Sequence, residues 1–416
     1  MQLKKWLCLV VLLLSAAGLS GVRAQELPRA EPAEVGMSAE RLARLSAVMR
    51  QYVDNQRVAG LVTLVIRDGK VAHLGTYGYL DLEKKTPMRP DAIFRIASQS
   101  KAVTTAAVMI LQEEGRLLLS DPVSKYLPEF SHVRVATRES GAYREEPAKR
   151  PITIRDLLTH TAGISYGGGA AEAAYRWEDL YGWYFADHDE TIGEAIRRLA
   201  TLPIDAQPGE KYIYGFNTDI LGRVVEVVSG QSLADFFQER IFTPLKMTDT
   251  HFFLPPEKVA RFTPVYGHDP AGRLYLVEPA DRNDYVSGPR KCYSGGAGLL
   301  STARDYGRFL LALLNGGTLE GVRILSRKSV ELMTSNHVGD KFGDRGFGLG
   351  FWITEHVGRS GQMGSVGAFG WGGAYYTTYW VDPQERLVAL LMCQLLPARD
   401  MDLHPKFSTL VYQALE

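Results

Sequence analysis

Apolar residues follow two rhythms along this chain, one of strands and one of helices. Leu61-Val62-Thr63-Leu64-Val65-Ile66 is a dense, largely β-branched run. Asp68-Gly69 follows it, and an apolar pattern resumes from Val71 to Tyr79. Asp-Gly supplies the positive φ angles that a two-residue turn requires, so the stretch predicts a hairpin. Further on, Val103, Ala106, Ala107, Ile110 and Leu111 recur at three- and four-residue spacing, a helix that stops at Gly115. Ser38 caps another helix running to about Asn55. Thr153 with Asp156, and Thr302 with Asp305, match a capping-box pattern ahead of apolar helical runs. Leu221 to Val228 and Leu233 to Phe242 predict more helices in the middle. In the last quarter Phe347 to Ile353, Gly373 to Val381 and Leu387 to Cys393 read as strands. Asp382-Pro383-Gln384 turns between the last two, and a helix near Phe407 to Leu415 closes the chain.

By itself this pattern gives the α+β class. Strands at both ends with helices between them point to one antiparallel sheet, built from N- and C-terminal segments and flanked by helices. The mostly helical middle becomes an inserted lobe, and an active site is expected in the cleft between lobes. No repeat or linker interrupts residues 25–416, read as a single catalytic domain. Its α/β lobe spans about 25–95 and 345–416, and its helical lobe about 96–344.

The first 24 residues read as a signal peptide. Lys4 and Lys5 form a basic start, Leu7 to Leu19 is largely apolar, and Val22-Arg23-Ala24 offers small residues for cleavage. The run is short for a membrane span and no stop-transfer pattern follows, so no stable membrane insertion is expected after cleavage. Cys8 lies inside the apolar run, which does not indicate a lipidated N-terminus. The expected location is periplasmic or secreted. Losing Lys4, Lys5 and Arg23 leaves 44 basic residues against 47 acidic ones, a net charge near −3. That balance argues against nucleic acid or an anionic membrane as partner. Cys292 and Cys393 remain; the compartment permits a disulfide that the sequence does not specify, and two separate thiols is the favoured reading, since Cys393 sits in an apolar strand-like run.

Chemistry enters at Ser98-Gln99-Ser100-Lys101, which opens the long helical pattern. Residues three apart share a helix face, so Lys101 would stand beside the Ser98 hydroxyl. Serine is a poor nucleophile unless a neighbour takes or holds its proton. The flanks run from Phe94-Arg95-Ile96-Ala97 through Leu111-Gln112-Glu113-Glu114-Gly115 to Asp121-Pro122-Val123 and Tyr126-Leu127-Pro128. With Thr153-Ile154-Arg155-Asp156-Leu157-Leu158-Thr159-His160-Thr161-Ala162-Gly163-Ile164, and Pro208-Gly209-Glu210 followed by Tyr214 to Gly222, they form several spaced motifs in one order. The set resembles the serine β-lactamase and penicillin-binding protein superfamily, in its class C branch, from about Ser38 to the C-terminal helix. In motif form it is most similar to family VIII carboxylesterases.

The resemblance implies Ser98 as nucleophile, Lys101 as its partner and Tyr214 as a proton carrier. These three would titrate as a coupled set. Where the family usually has tyrosine, any residue, asparagine, this chain has Phe216, with Asn217 one place later. Where β-lactamases carry lysine-threonine-glycine, or a histidine variant, Trp371-Gly372-Gly373 stands before Ala374. By analogy the backbone N–H groups of Ser98 and Ala374 form the oxyanion hole. Phe216, Asn217, Trp371, Gly372 and Gly373 are expected to face substrate. Both departures resemble the esterase branch, implying a small-molecule ester as substrate and no cofactor or metal. The alternatives are a β-lactamase, a D-amino-acid peptidase or acyltransferase, and a catalytically silent peptidoglycan- or ligand-binding relative. The oligomeric state is not encoded legibly.

Three other features read as decoys. Gly163-Ile164-Ser165-Tyr166-Gly167 fits a nucleophile elbow, but it follows a helical run instead of a strand, which makes Ser165 a loop residue. His160 reads as a capping or core histidine. Asp187-His188-Asp189-Glu190 reads as an exposed helix start, not a metal cluster.

Overall fold

The computed structural model describes residues 26–416. Residues 1–25, which hold the expected signal peptide and Cys8, lie outside the described residues. The first hairpin forms as its pattern dictates: β1 (Gly60–Arg67) and β2 (Lys70–Asp81) pair with Arg67 opposite Lys70. Asp68 and Gly69 turn between them at φ 50° and 75°. A short β3 (Thr86–Pro87) follows, and the other strands of the same sheet come from the far end of the chain. These are β4 (Gly346–Phe347), β5 (Trp352–Ile353), β6 (Phe369–Gly373), β7 (Thr377–Asp382) and β8 (Leu387–Cys393). Their spatial order is β4-β5-β6-β7-β8-β1-β2-β3, with every neighbouring pair antiparallel.

Two strand expectations need correction. Phe347 to Ile353 is not one strand, because the chain reverses at Gly348 to Gly350 and pairs Phe347 with Trp352. Gly350 sits at φ +84°, a conformation open to glycine, and it breaks the run. Gly373 to Val381 is likewise split into β6 and β7 by a turn at residues 374–376, with Tyr376 at φ 69°.

β1 and β8 are apolar on both faces because both faces are covered. Leu61 and Val65, with Ala389, Leu391 and Cys393, join α1 (Ala39–Asp54) and the C-terminal helix Leu403–Tyr412 in one core. Val62, Leu64 and Ile66, with Val388, Leu390 and Met392, join the larger core that fills the helical part. At the centre of that core lies α2 (Ser100–Glu113), buried from Ser100 to Leu111. Helix α3 (Ile154–Leu158) carries the predicted capping box with Thr153 and Asp156. The Thr302 cap is only half a box. Asp305 accepts from the Asp249 N–H at 2.6 Å instead of returning to the cap backbone. Helix α4 (Asn217–Ser229) packs beside α2 and α3. Cys292 and Cys393 are separate buried thiols.

Candidate active site

Of the nineteen residues from Ala92 to Ile110, Ser98 alone is not buried. It sits in a single 3₁₀ turn, Ala97–Gln99, and α2 begins directly after it at Ser100. Ala97 has a left-handed φ of 40°, a strained conformation for a residue with a Cβ and one that clusters at functional sites. Ser100 is excluded as the nucleophile by its use: its hydroxyl is buried and accepts from the Leu299 N–H at 3.0 Å.

Lys101 is almost fully buried, at 1 % exposure, and its three ammonium protons meet three acceptors. Nζ donates to Ser98 Oγ at 3.2 Å, to the Tyr166 hydroxyl at 3.0 Å and to the Gly296 carbonyl at 2.9 Å. The same Nζ stands 4.6 Å from the Tyr214 ring centroid, over its face. A buried ammonium needs this satisfaction, because an unpaired charge in the interior is strongly destabilising.

Behind the lysine lies a second layer. Asp219, on α4 and fully buried, accepts from Ser294 Oγ at 2.6 Å and from the Gly296 N–H at 3.0 Å. A Cβ on Gly296 would come within 2.4 Å of that carboxylate, so only glycine fits. Thr104 adds a bond to the Gly295 carbonyl at 2.7 Å. The loop that offers Gly296 to Lys101 is thus held from two sides. Burial raises the Asp219 carboxyl above the usual range, while nearby Lys101 and the two hydrogen bonds oppose the rise.

Tyr214 reaches the site by a different route. Its hydroxyl accepts from Trp371 Nε1 at 3.2 Å, and its ring lies edge-on to Tyr166, 5.7 Å between centroids. His160 stands 4.7 Å from the other side of that ring. Burial, followed by the charge of Lys101, holds His160 neutral far below its ordinary value. Burial likewise keeps the Tyr166 phenol protonated, reinforced by Tyr214 and Asp219.

β6 brings the last element. Gly373 lies so close to the Ile96 carbonyl that a Cβ would come within 2.3 Å. Ala374 packs beside Ala97 and Tyr375, which sets its backbone next to the Ser98 turn. Trp371, Gly372 and Gly373 form a half-buried edge. Trp371 joins an aromatic cluster with Phe347 at 5.5 Å and Phe342 at 6.1 Å, and Phe342 in turn packs on Tyr212 at 4.7 Å.

Two expected substrate contacts are corrected. Phe216 is completely buried, edge-on to Tyr166 at 4.9 Å and to Phe185 at 5.7 Å, so it supports the site from behind. Asn217 is buried as well. Its amide nitrogen lies 3.0 Å from His160 Nδ1 and donates to the Ile164 carbonyl at 3.1 Å. Both residues start α4, and the start of that helix turns them inward.

Tyr166 and the Gly296 loop are the parts that sequence reasoning missed. Tyr166 stands in the very stretch set aside for Ser165, whose hydroxyl does accept a local bond from the Gly167 N–H at 3.0 Å. The available signal was Gly215, where a Cβ would come within 2.3 Å of the Ile164 carbonyl. That close approach brings the Tyr166 and Tyr214 segments together. The Asp187-His188-Asp189-Glu190 stretch is tied up in ion pairs, Glu190 with Arg198 at 2.5 Å and Asp189 with Lys291 at 2.6 Å.

A sequence model of the Beta-lactamase family matches residues 45–413. Protein Rv1367c of Mycobacterium tuberculosis is 35 % identical over 376 residues, covering 86 % of this chain and 90 % of that one. Esterase EstB of Burkholderia gladioli is 32 % identical over 382 residues, covering 87 % of this chain and 93 % of its own. Among solved structures, EstCE1, a hydrolase with promiscuous acyltransferase activity, superposes with a TM-score of 0.76 at 27 % identity. That match covers 89 % of this chain and 98 % of EstCE1.

Proposed function

The chain belongs to the beta-lactamase family, as a serine hydrolase of that fold, and from that premise we propose that it cleaves neutral carboxylic esters through an acyl-enzyme on Ser98. The observation that carries this reading is the partly buried Ser98 hydroxyl 3.2 Å from a buried, fully satisfied Lys101. Lys101 takes part as the free amine, one proton short of the resting ammonium: as Ser98 Oγ attacks the ester carbonyl the amine accepts its proton, and Tyr214 relays it onward. The negative oxygen of the tetrahedral intermediate is met by the N–H groups of Ser98 and Ala374. Losing one such donor typically costs about 3 kcal/mol of barrier. Tyr214 then protonates the departing alcohol as the ester C–O bond breaks. A water attacks the acyl-enzyme, gives up its proton along the same path, and returns Ser98 as a hydroxyl. Acyl transfer is the same intermediate met by an alcohol in place of water, a second activity that the name of EstCE1 supports.

Neutrality of the substrate rests on Trp371. A side chain with no charge stands where the β-lactamase branch places a cation or histidine, and its indole N–H is already engaged by Tyr214. We also place the enzyme in the periplasm or outside the cell, on the strength of Lys4, Lys5 and the apolar stretch Leu7 to Leu19. Expression in a bacterial host followed by N-terminal sequencing should find Gln25 first. For the chemistry, an active-site-directed fluorophosphonate should leave its adduct on Ser98 by mass spectrometry. An adduct on Ser165, or none, contradicts the assignment.

A further inference from the structure

A cleft of about 770 Å³ opens between the Leu118–Ser120 turn, α3 and residues 332–341, and none of its walls belongs to the site above. That volume is in the range of small-molecule sites. Leu118, Leu119, Leu332 and Val338 give it apolar walls, and its charges are unevenly matched. Arg150 is neutralised by Asp156 through bonds of 2.6 and 2.8 Å. Arg155 and Lys341 have no carboxylate partner among the described residues. Their nearest polar contacts are backbone carbonyls, His337 O at 3.3 Å and Val338 O at 3.4 Å. Two cations without a carboxylate partner, beside apolar surface, describe an amphipathic anion in negative image.

We propose that this cleft is a second ligand site, for an organic anion whose carboxylate or phosphate head meets Arg155 and Lys341 and whose short apolar chain lies on Leu118, Leu119 and Val338. The head gains two charge-assisted contacts, and the chain removes apolar surface from water. The site is wired closely to the ester site. Thr159 and Thr161 line the cleft and bracket His160, whose left-handed backbone, φ 54°, sends its ring the other way onto Tyr214. Lys341 immediately precedes Phe342, which packs on Tyr212 and Trp371.

The test is calorimetric titration with hexanoate, hexylphosphonate and inorganic phosphate, on full-length processed protein whose Ser98 already carries a fluorophosphonate adduct. Blocking Ser98 first separates the cleft from binding at the ester site. Saturable one-to-one binding of a six-carbon anion is expected, weakening as salt is raised. Hexanoate alone would assign a carboxylate head and hexylphosphonate alone a phosphate head. Inorganic phosphate should bind at least tenfold more weakly than the better of the two. Arg155→Ala/Lys341→Ala removes two exposed side chains and should lower affinity by on the order of a hundredfold. No saturable binding, equal affinity in the double variant, or phosphate binding as tightly as the six-carbon anions overturns the proposal. Should Ser98 take no adduct, that counts against the nucleophile instead. The same titration of unlabelled protein and double variant then decides the cleft.

Discussion

The active site has two walls, and they are built on opposite principles. Around Lys101, polar groups from four separate segments converge on one atom: Ser98 Oγ, the Tyr166 hydroxyl, the Gly296 carbonyl and the Tyr214 ring face. Around Trp371, the rings of Tyr212, Phe342 and Phe347 pack on one another, and the indole N–H to Tyr214 is the hydrogen bond that ties this wall to the first. The first wall fixes positions to within a hydrogen bond, as proton transfer demands. The second offers apolar area, worth about 25 cal/mol per Å² covered, and nothing to a carboxylate. Damage to the first should therefore appear in rate, and damage to the second in choice of substrate.

The largest effect is expected at the centre of the polar wall. Ser98→Ala should lower kcat for a p-nitrophenyl ester by about 10⁴-fold or more, while Ser165→Ala leaves substantial turnover. Lys101→Ala and Tyr214→Phe should each be severe, and together scarcely worse than the stronger single change, because they serve one proton path. Simple additivity in the logarithm of kcat would separate them into two paths. Next comes Tyr166→Phe, which removes one of three acceptors from the Lys101 ammonium. A loss of about ten- to a hundredfold in kcat with KM little changed is expected. An unchanged kcat would reduce Tyr166 to a packing residue.

Trp371→Lys tests the other wall. It restores a cation where the β-lactamase branch has one and withdraws an aromatic ring. The ratio of kcat/KM for a neutral ester over an acid-bearing ester should fall about tenfold, equivalent to ~1.4 kcal/mol. If both substrates lose equally, the wall holds the site together without selecting.

The last effect lies in stability. Burial depresses His73, bonded to Thr63 at 2.9 Å, to about 4, and keeps His160 well below 6.5. The unfolded chain binds protons at both near pH 6.5 while the folded chain does not, so stability is full above that value. It declines as pH falls towards 4. Between pH 7.5 and 5, His73 accounts for about 1–2 kcal/mol of that decline. Guanidinium unfolding at the two pH values should show His73→Gln with a correspondingly shallower dependence. An identical dependence in the variant would remove His73 from the account.

How much of this was legible follows from distance along the chain. The Asp68-Gly69 turn, the Thr153 capping box and the Ser98–Lys101 spacing are local, and a local pattern fixes each of them. The Lys101–Tyr166 bond spans 65 residues and depends on Gly215 and Asn217 drawing two loops together, which no periodicity displays. Phe216 and Asn217 were expected at the substrate because their position beside Tyr214 was clear. Which way the first turn of α4 would face was not, since the facing is decided by packing against Tyr166, Phe185 and His160. The strand run from Phe347 to Ile353 misled because its aromatic and aliphatic residues outweighed the two glycines, Gly348 and Gly350, at which the chain reverses.

The account as a whole turns on the claim that a cation-free, aromatic wall has been joined to an intact nucleophile. The most direct measurement is a paired determination of kcat/KM on one preparation, with the best p-nitrophenyl ester of a short or medium acid and with benzylpenicillin. The account predicts ready turnover of the ester, with the penicillin hydrolysed slowly or held as a poorly deacylating adduct on Ser98. A kcat/KM for benzylpenicillin equal to or above that for the ester would contradict it and make the protein a β-lactamase.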